Sequence, residues 1–184
     1  MDGKGGLVGT SQRTGLHLVC GAEFGTSYEL TGTLEFVSTG KVADPAGGPI
    51  LRYARDNDSH GLWLRKGSQR VVLRKLTEEL ETWPSAIGDS NEFRVQVWKG
   101  QAAAWANGAP VAEAFDVPGL DAGRTTRIGV GGHYNYGSET VVLRFSNLKI
   151  RKLTKPPVVP KATPDPKPQK SPPPRTVRDR PGDL

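Results

Sequence analysis

The sequence predicts an all-β sandwich of antiparallel strands followed by a proline-rich tail, and three observations carry that expectation. Apolar and polar residues alternate with a period of two in several short runs, the pattern of a strand with one buried and one wet face. The runs recur at intervals of about ten residues with glycine-rich turns between them, as in sandwiches and barrels. The composition then changes at Lys155: residues 155–184 hold ten of the 15 prolines, one of the 23 glycines and no aromatic residue. That stretch also carries seven of the 25 Lys and Arg and three of the 19 Asp and Glu, which leaves 18 basic and 16 acidic side chains in residues 1–154. Most of the formal net charge of +6 therefore belongs to the tail. Residues 1–154 are long enough for one domain and too short for two.

The clearest strand is Tyr28 to Phe36, where Tyr28, Leu30, Gly32, Leu34 and Phe36 alternate with Glu29, Thr31, Thr33 and Glu35. A helix would mix the two sets on one face. Ahead of it, Leu16, Leu18 and Cys20 alternate with His17 and Val19, and Cys20 reads as a small buried hydrophobe. Beyond it, Ile50 to Ala54 and Leu62 to Lys66 form two runs separated by Arg55-Asp56-Asn57-Asp58-Ser59, whose turn chemistry predicts a hairpin loop. Gly67-Ser68 turns the chain into a strand from Arg70 to Lys75. Leu76 to Thr82, with Glu78, Glu79 and Glu81, reads as a helical turn stopped by Pro84. Phe93, Val95 and Val97 then mark a strand that turns at Lys99-Gly100 into Gln101 to Ala106, and Asn107-Gly108 is a strong hairpin signal. Val111 to Phe115, with Pro110 at its start, suits an edge. Arg127 to Gly132 and Thr140 to Leu153 close the domain.

The tail from Lys155 to Leu184 has too few apolar side chains to offset its ordering entropy, so the expectation is a disordered segment of polyproline-II character. Fully extended, it would reach on the order of 90 Å. Pro157-Val158-Val159-Pro160 and Pro172-Pro173-Pro174-Arg175 fit the proline idiom read by recognition modules. A basic spacer that joins the domain to another module is the simpler expectation.

The same sequence excludes several classes. No apolar run approaches the ~20 residues of a transmembrane helix. A single cysteine, Cys20, excludes an internal disulfide framework. No P-loop, dinucleotide fingerprint or zinc spacing is present. Nucleic-acid binding is not expected, because the basic residues of the tail lack interleaved aromatics. Met1 does not open a basic-then-apolar leader, although a start at MDGKGG fits a trimmed one equally well.

Several segments carry a family resemblance. Asn91-Glu92-Phe93-Arg94-Val95, the Lys99-Gly100 turn, Trp105-Ala106-Asn107-Gly108, Arg127-Ile128-Gly129-Val130 and Val142 to Ile150 resemble, in order and spacing, the 3-keto-disaccharide hydrolase or family-16-glycoside-hydrolase-like domain. Leu7-Val8-Gly9-Thr10 and Tyr28 to Phe36 look like that family's early strands. The resemblance spans about residues 5–153 and implies a concanavalin A-like jelly roll, a carbohydrate partner and an extracellular or cell-envelope setting. Two departures stand out. The family's strand ahead of Leu7 is missing, and Gly61-Leu62-Trp63-Leu64-Arg65 stands where relatives carry an acidic and an amide residue on the concave face.

Glycoside hydrolysis needs two carboxyl groups about 5 to 9.5 Å apart. The Glu-x-Asp-x-x-Glu run of the family 16 enzymes is absent. Glu29 and Glu35 share a strand face but lie about 20 Å apart along it, too far for joint catalysis. With Thr31 and Thr33 they form a solvated polar face, or line a sugar groove if that face is the concave one. Asp56 and Asp58, in the loop Arg55 to His60, offer oxygen ligands for a Ca²⁺ ion, although the EF-hand spacing fails and a plain Asx turn is the simpler reading. His133-Tyr134-Asn135-Tyr136, edged by glycines, suits stacking on a sugar ring with His and Asn as hydrogen-bonding partners. Trp83, beside Pro84, reads as the exposed tryptophan. The sequence thus leads to a non-catalytic carbohydrate- or ligand-binding sandwich on a tether. Its alternatives are a hydrolase of the 3-keto-disaccharide type using Glu35, His60 or His133 as acid and base, and a protein-interaction or adhesion module.

Overall fold

The period-two runs become twelve strands in the computed structural model, which describes residues 7–11, 16–20, 24–55, 58–120, 126–133 and 139–156. In chain order they are β1 (Leu7–Ser11), β2 (Leu16–Val19), β3 (Ser27–Ser38), β4 (Ala46–Arg55), β5 (Asp58–Arg65), β6 (Arg70–Lys75), β7 (Glu78–Pro84), β8 (Ser90–Trp98), β9 (Gln101–Ala106), β10 (Ala109–Asp116), β11 (Arg127–His133) and β12 (Val141–Lys152). They form two six-stranded antiparallel sheets, one ordered β1-β12-β3-β8-β9-β10 and the other β2-β11-β4-β5-β6-β7. The chain is an all-β jelly-roll sandwich, and among the described residues no helix is long and apolar enough to cross a membrane.

The core lies where the inward-facing halves of the alternating strands meet. Leu30, Leu34, Val95, Val97, Leu143 and Phe145 of the first sheet pack with Leu51, Leu62, Leu64, Leu73, Ile128 and Val130 of the second, all at 2% exposure or less. Removing each such side chain from water is worth about 1.5–3 kcal/mol. The outward half of β3 stays polar, and it is this half that builds the site described below.

Three local expectations change. Leu76 to Thr82 is not helical: β7 is an edge strand with Lys75 opposite Glu78 and Arg74 opposite Glu79. Opposite charges across the ladder, and Leu76 at φ 54 closing the turn, favour the strand over a short acidic helix. Pro84 ends that edge opposite Arg70 instead of stopping a helix. The loop expected over Arg55 to Ser59 is shorter, since Arg55 and Asp58 already pair as strand residues. Near the amino terminus, Leu18 pairs with Val130 yet is 37% exposed, and Cys20 is only partly buried, because β2 is an edge strand.

Candidate functional site

On the outer face of the first sheet, strand registry assembles rows of side chains from segments far apart in sequence. One row runs Lys149, Thr31, Arg94, Trp105, Pro110, from β12 to β10. The next runs Arg151, Glu29, Gln96, Ala103. On the other side lie Thr33 opposite Glu92, and then Arg144 opposite Glu35. The bulge between Ser146 and Lys149, with Asn147 at φ 53, turns Leu148 inward against the core and restores Lys149 to the outer face.

Over these rows lies a groove of about 340 Å³ lined by Thr31, Thr33, Glu92, Arg94, Trp105 and Lys149, among others. The Arg94 guanidinium sits 4.6 Å from the centre of the Trp105 ring, which fixes the groove wall through a cation–π contact. Asn147 Nδ2 donates to Thr33 Oγ1 at 3.4 Å. The side of the groove toward Arg151 is closed by a charged network around Glu29, a buried carboxylate. Its Oε2 accepts from Arg94 Nε at 3.0 Å and from Gln96 Nε2 at 2.5 Å, and its Oε1 lies 2.6 Å from Arg151 Nε. Burial pushes the Glu29 carboxyl up, but the hydrogen bonds from Arg151 and Gln96 and the charge of Arg94 outweigh it and hold the group below the usual carboxylate range. Glu29 is therefore a fixed anion that positions two arginines. Glu35 makes a 2.7 Å pair with Arg144 Nη1.

A second polar cluster sits at the far end of β4 and β5. Arg52 grips Asp58 in a bidentate pair, Nη1 to Oδ1 at 2.5 Å and Nη2 to Oδ2 at 2.8 Å. Gly119 permits the approach: at φ +76 it carries no Cβ, and one would sit 3.0 Å from Arg52 Cζ. His60, directly across from Arg52, is 1% exposed, and neither ring nitrogen has a hydrogen-bond partner among the described residues. Burial first, and then the charges of Arg52 and Lys75, push the imidazole down to about 4, so it is neutral at ordinary pH.

The residues singled out from sequence fall in different places. Glu35 lies on the outer face of the first sheet, whereas His60 belongs to β5 of the second. His133 closes β11 opposite Ala46, six residues along β4 from the partner of His60, or about 20 Å. The three do not form one acid–base constellation. Trp83 is partly buried, with its ring centre 5.0 Å from that of Phe115, so it packs on the core instead of standing free. Asp58 belongs to a strand, and both its oxygens face Arg52; among the described residues no three His, Cys, Asp or Glu side chains group as a metal site. Asp56, Tyr134, Asn135, Tyr136 and residues 157–184 lie outside the described residues. Sequence reasoning found the Thr31 and Thr33 face but missed Arg94, Trp105 and Lys149, because only sheet order places them beside it. The usable signal was their outward parity on strands flanking β3.

No protein-family model matches the chain. No curated protein matches it in sequence either. Solved structures do share the fold. The carbohydrate-binding module CBM66 from Bacillus subtilis is 8% identical with a TM-score of 0.62, covering 77% of this chain and 84% of that one. A putative glycosyl hydrolase from Parabacteroides distasonis is 15% identical with a TM-score of 0.54, covering 82% and 88%. An alginate lyase of polysaccharide lyase family 7 is 10% identical with a TM-score of 0.55, covering 82% and 80%. At these identities the likeness establishes the jelly-roll sandwich fold alone. It does not extend to the 3-keto-disaccharide hydrolase family that the sequence segments resemble.

Proposed function

We propose that this chain is a non-catalytic carbohydrate-binding module that holds a glycan along the outer face of its first sheet. The observation that carries the reading is the Lys149, Thr31, Arg94, Trp105 row in a groove of about 340 Å³, large enough for one or two sugar units. Hydroxyl, ammonium and guanidinium groups at strand spacing supply directional hydrogen bonds to sugar hydroxyls. The fixed Glu29 network keeps the Arg94 guanidinium oriented before binding, which lowers the ordering cost at that donor.

The non-catalytic part rests on the carboxylates. Glu29 is held ionised between two arginines about 20 Å along the strand from Glu35, outside the spacing that glycosidic cleavage needs. Glu35, which stands diagonal to Glu92 across β3 and β8, is itself tied to Arg144 at 2.7 Å and so is engaged as an ion-pair partner rather than poised as a free acid. Binding is proposed to need no metal, since Asp58 already satisfies Arg52. The carbohydrate-binding and carbohydrate-active names among the fold neighbours support the partner class.

Affinity electrophoresis of the full chain in gels containing xylan, a β-1,3-glucan, a fructan or alginate tests the reading. Retardation by at least one polymer, unchanged by EDTA and lost in the Arg94→Ala, Lys149→Ala double variant, is the expected result. Retardation lost instead in Tyr134→Ala, Tyr136→Ala would move the site to the loop after His133. No retardation by any polymer would sink this reading of the groove, and release of reducing ends would overturn the non-catalytic assignment.

A further inference from the structure

Beyond the glycan groove, the chain's exit from the sandwich points to an internal docking site. After β12 the backbone leaves the ladder and crosses the sheet. The Leu153 N–H donates to the Ser27 carbonyl of β3 at 3.1 Å, and three residues later Pro156 has reached β8 and β9. There it lines a second groove, of about 160 Å³, with Trp98, Gln101, Ala102, Ala103, Glu113 and Ala114. The path is monotonic in sheet order: β12, β3, β8, with β9 and β10 next.

The groove exists because of small residues and an irregular edge. Ala103 and Ala114 contribute only methyl groups beside the Trp98 ring. β10 also loses register with β9 between Ala112 and Phe115, and Glu113 and Ala114 are left exposed. An edge without regular ladder partners is poorly suited to accept another strand but can hold an apolar segment that offers few N–H groups. The residues after Pro156 are Pro157-Val158-Val159-Pro160 and then Lys161. Two prolines lack N–H donors altogether and favour polyproline II, which advances about 9 Å per three-residue turn. Crossing from β8 to β10 takes two inter-strand steps of about 4.8 Å, so one such turn spans the groove.

We propose that Pro157-Val158-Val159-Pro160 docks in this groove against Trp98, Ala103 and Ala114, so that the tether is anchored to the sheet as far as Pro160. Ala103 shares its row with Gln96 and Glu29, so the anchored turn borders the glycan groove and fixes the direction in which the tail leaves it.

Heteronuclear NMR on the full chain tests this, with a Val158→Asp, Val159→Asp variant that alters only the tail. The expected result is ¹⁵N relaxation at Val158 and Val159 matching that of β9 amides, NOEs from their methyls to the Trp98 indole, and loss of both in the variant. Relaxation at these residues identical in the parent and the variant, with no NOE to Trp98, would overturn the proposal. NOEs seen only between differently labelled chains in a mixed sample would overturn it too, since they would assign the groove to a second copy.

Discussion

The hydroxyl of Tyr28, on β3 of one sheet, donates to the main-chain oxygen of Leu51, on β4 of the other. Leu51 lies where β4 loses register with β5, between Ile50 and Arg52, and Tyr28 is 1% exposed. The bulge and the phenol thus satisfy each other across the core, and burial pushes the phenol far above its usual range. Tyr28→Phe keeps the ring and orphans the carbonyl. A loss of about 1–3 kcal/mol is expected from urea unfolding midpoints; an unchanged midpoint would show that the bond contributes nothing.

Acid should weaken the fold in two windows. The folded His60 titrates at about 4 against an ordinary value of 6.5, so between those values the unfolded chain binds a proton that the folded one refuses. Stability therefore falls as pH drops from 6.5 to 4. Glu29 and Asp58 are both lowered, so their contribution is present above the ordinary carboxylate range and is lost as pH falls below it. His60→Leu should raise the thermal midpoint at pH 5 relative to the parent and flatten the upper window alone. A parent profile flat from pH 6.5 to 4 would contradict the burial argument.

Trp63 lies over Gly61 on the outer face of the second sheet, packed with Ile50 and Ala46 and stacked on His17 at an interplanar angle of 17°. A Cβ at Gly61 would sit 2.8 Å from Trp63 Cζ2. Gly61→Ala should displace the indole, shift the tryptophan emission and cost about 1–3 kcal/mol. Emission and midpoint both like the parent's would show that the ring yields freely.

Within the glycan groove, Thr31→Val removes a hydroxyl while keeping the shape and the outward face. Affinity for the retarding polymer should fall about tenfold, the scale of one hydrogen bond lost to a bound ligand. Unfolding should change little, because Thr31 is only half-buried. Equal affinity by titration calorimetry would remove Thr31 from the site.

Glu29→Gln keeps the shape and discharges the anion between Arg94 and Arg151. Weaker glycan binding is expected with the protein still folded, because the arginines lose the group that orients them. Activity toward glycans would need a different assignment of this carboxylate.

Period-two alternation from Tyr28 to Phe36 and the Lys99-Gly100 and Asn107-Gly108 turns made the all-β class legible from sequence alone, because strand parity and turn chemistry are local properties. The same local reading failed at Leu76 to Thr82, where the choice between helix and strand was made by pairing with Arg74 and Lys75. It failed again at Trp83, whose burial depends on Phe115 arriving from β10. Thr31 was legible as one side of a polar face. Its neighbours Arg94 and Lys149 were not, because registry between β3, β8 and β12 brings them together across more than a hundred residues of chain. What each strand turns outward is written in the residue order; which outward faces stand side by side is decided only when the sheet closes.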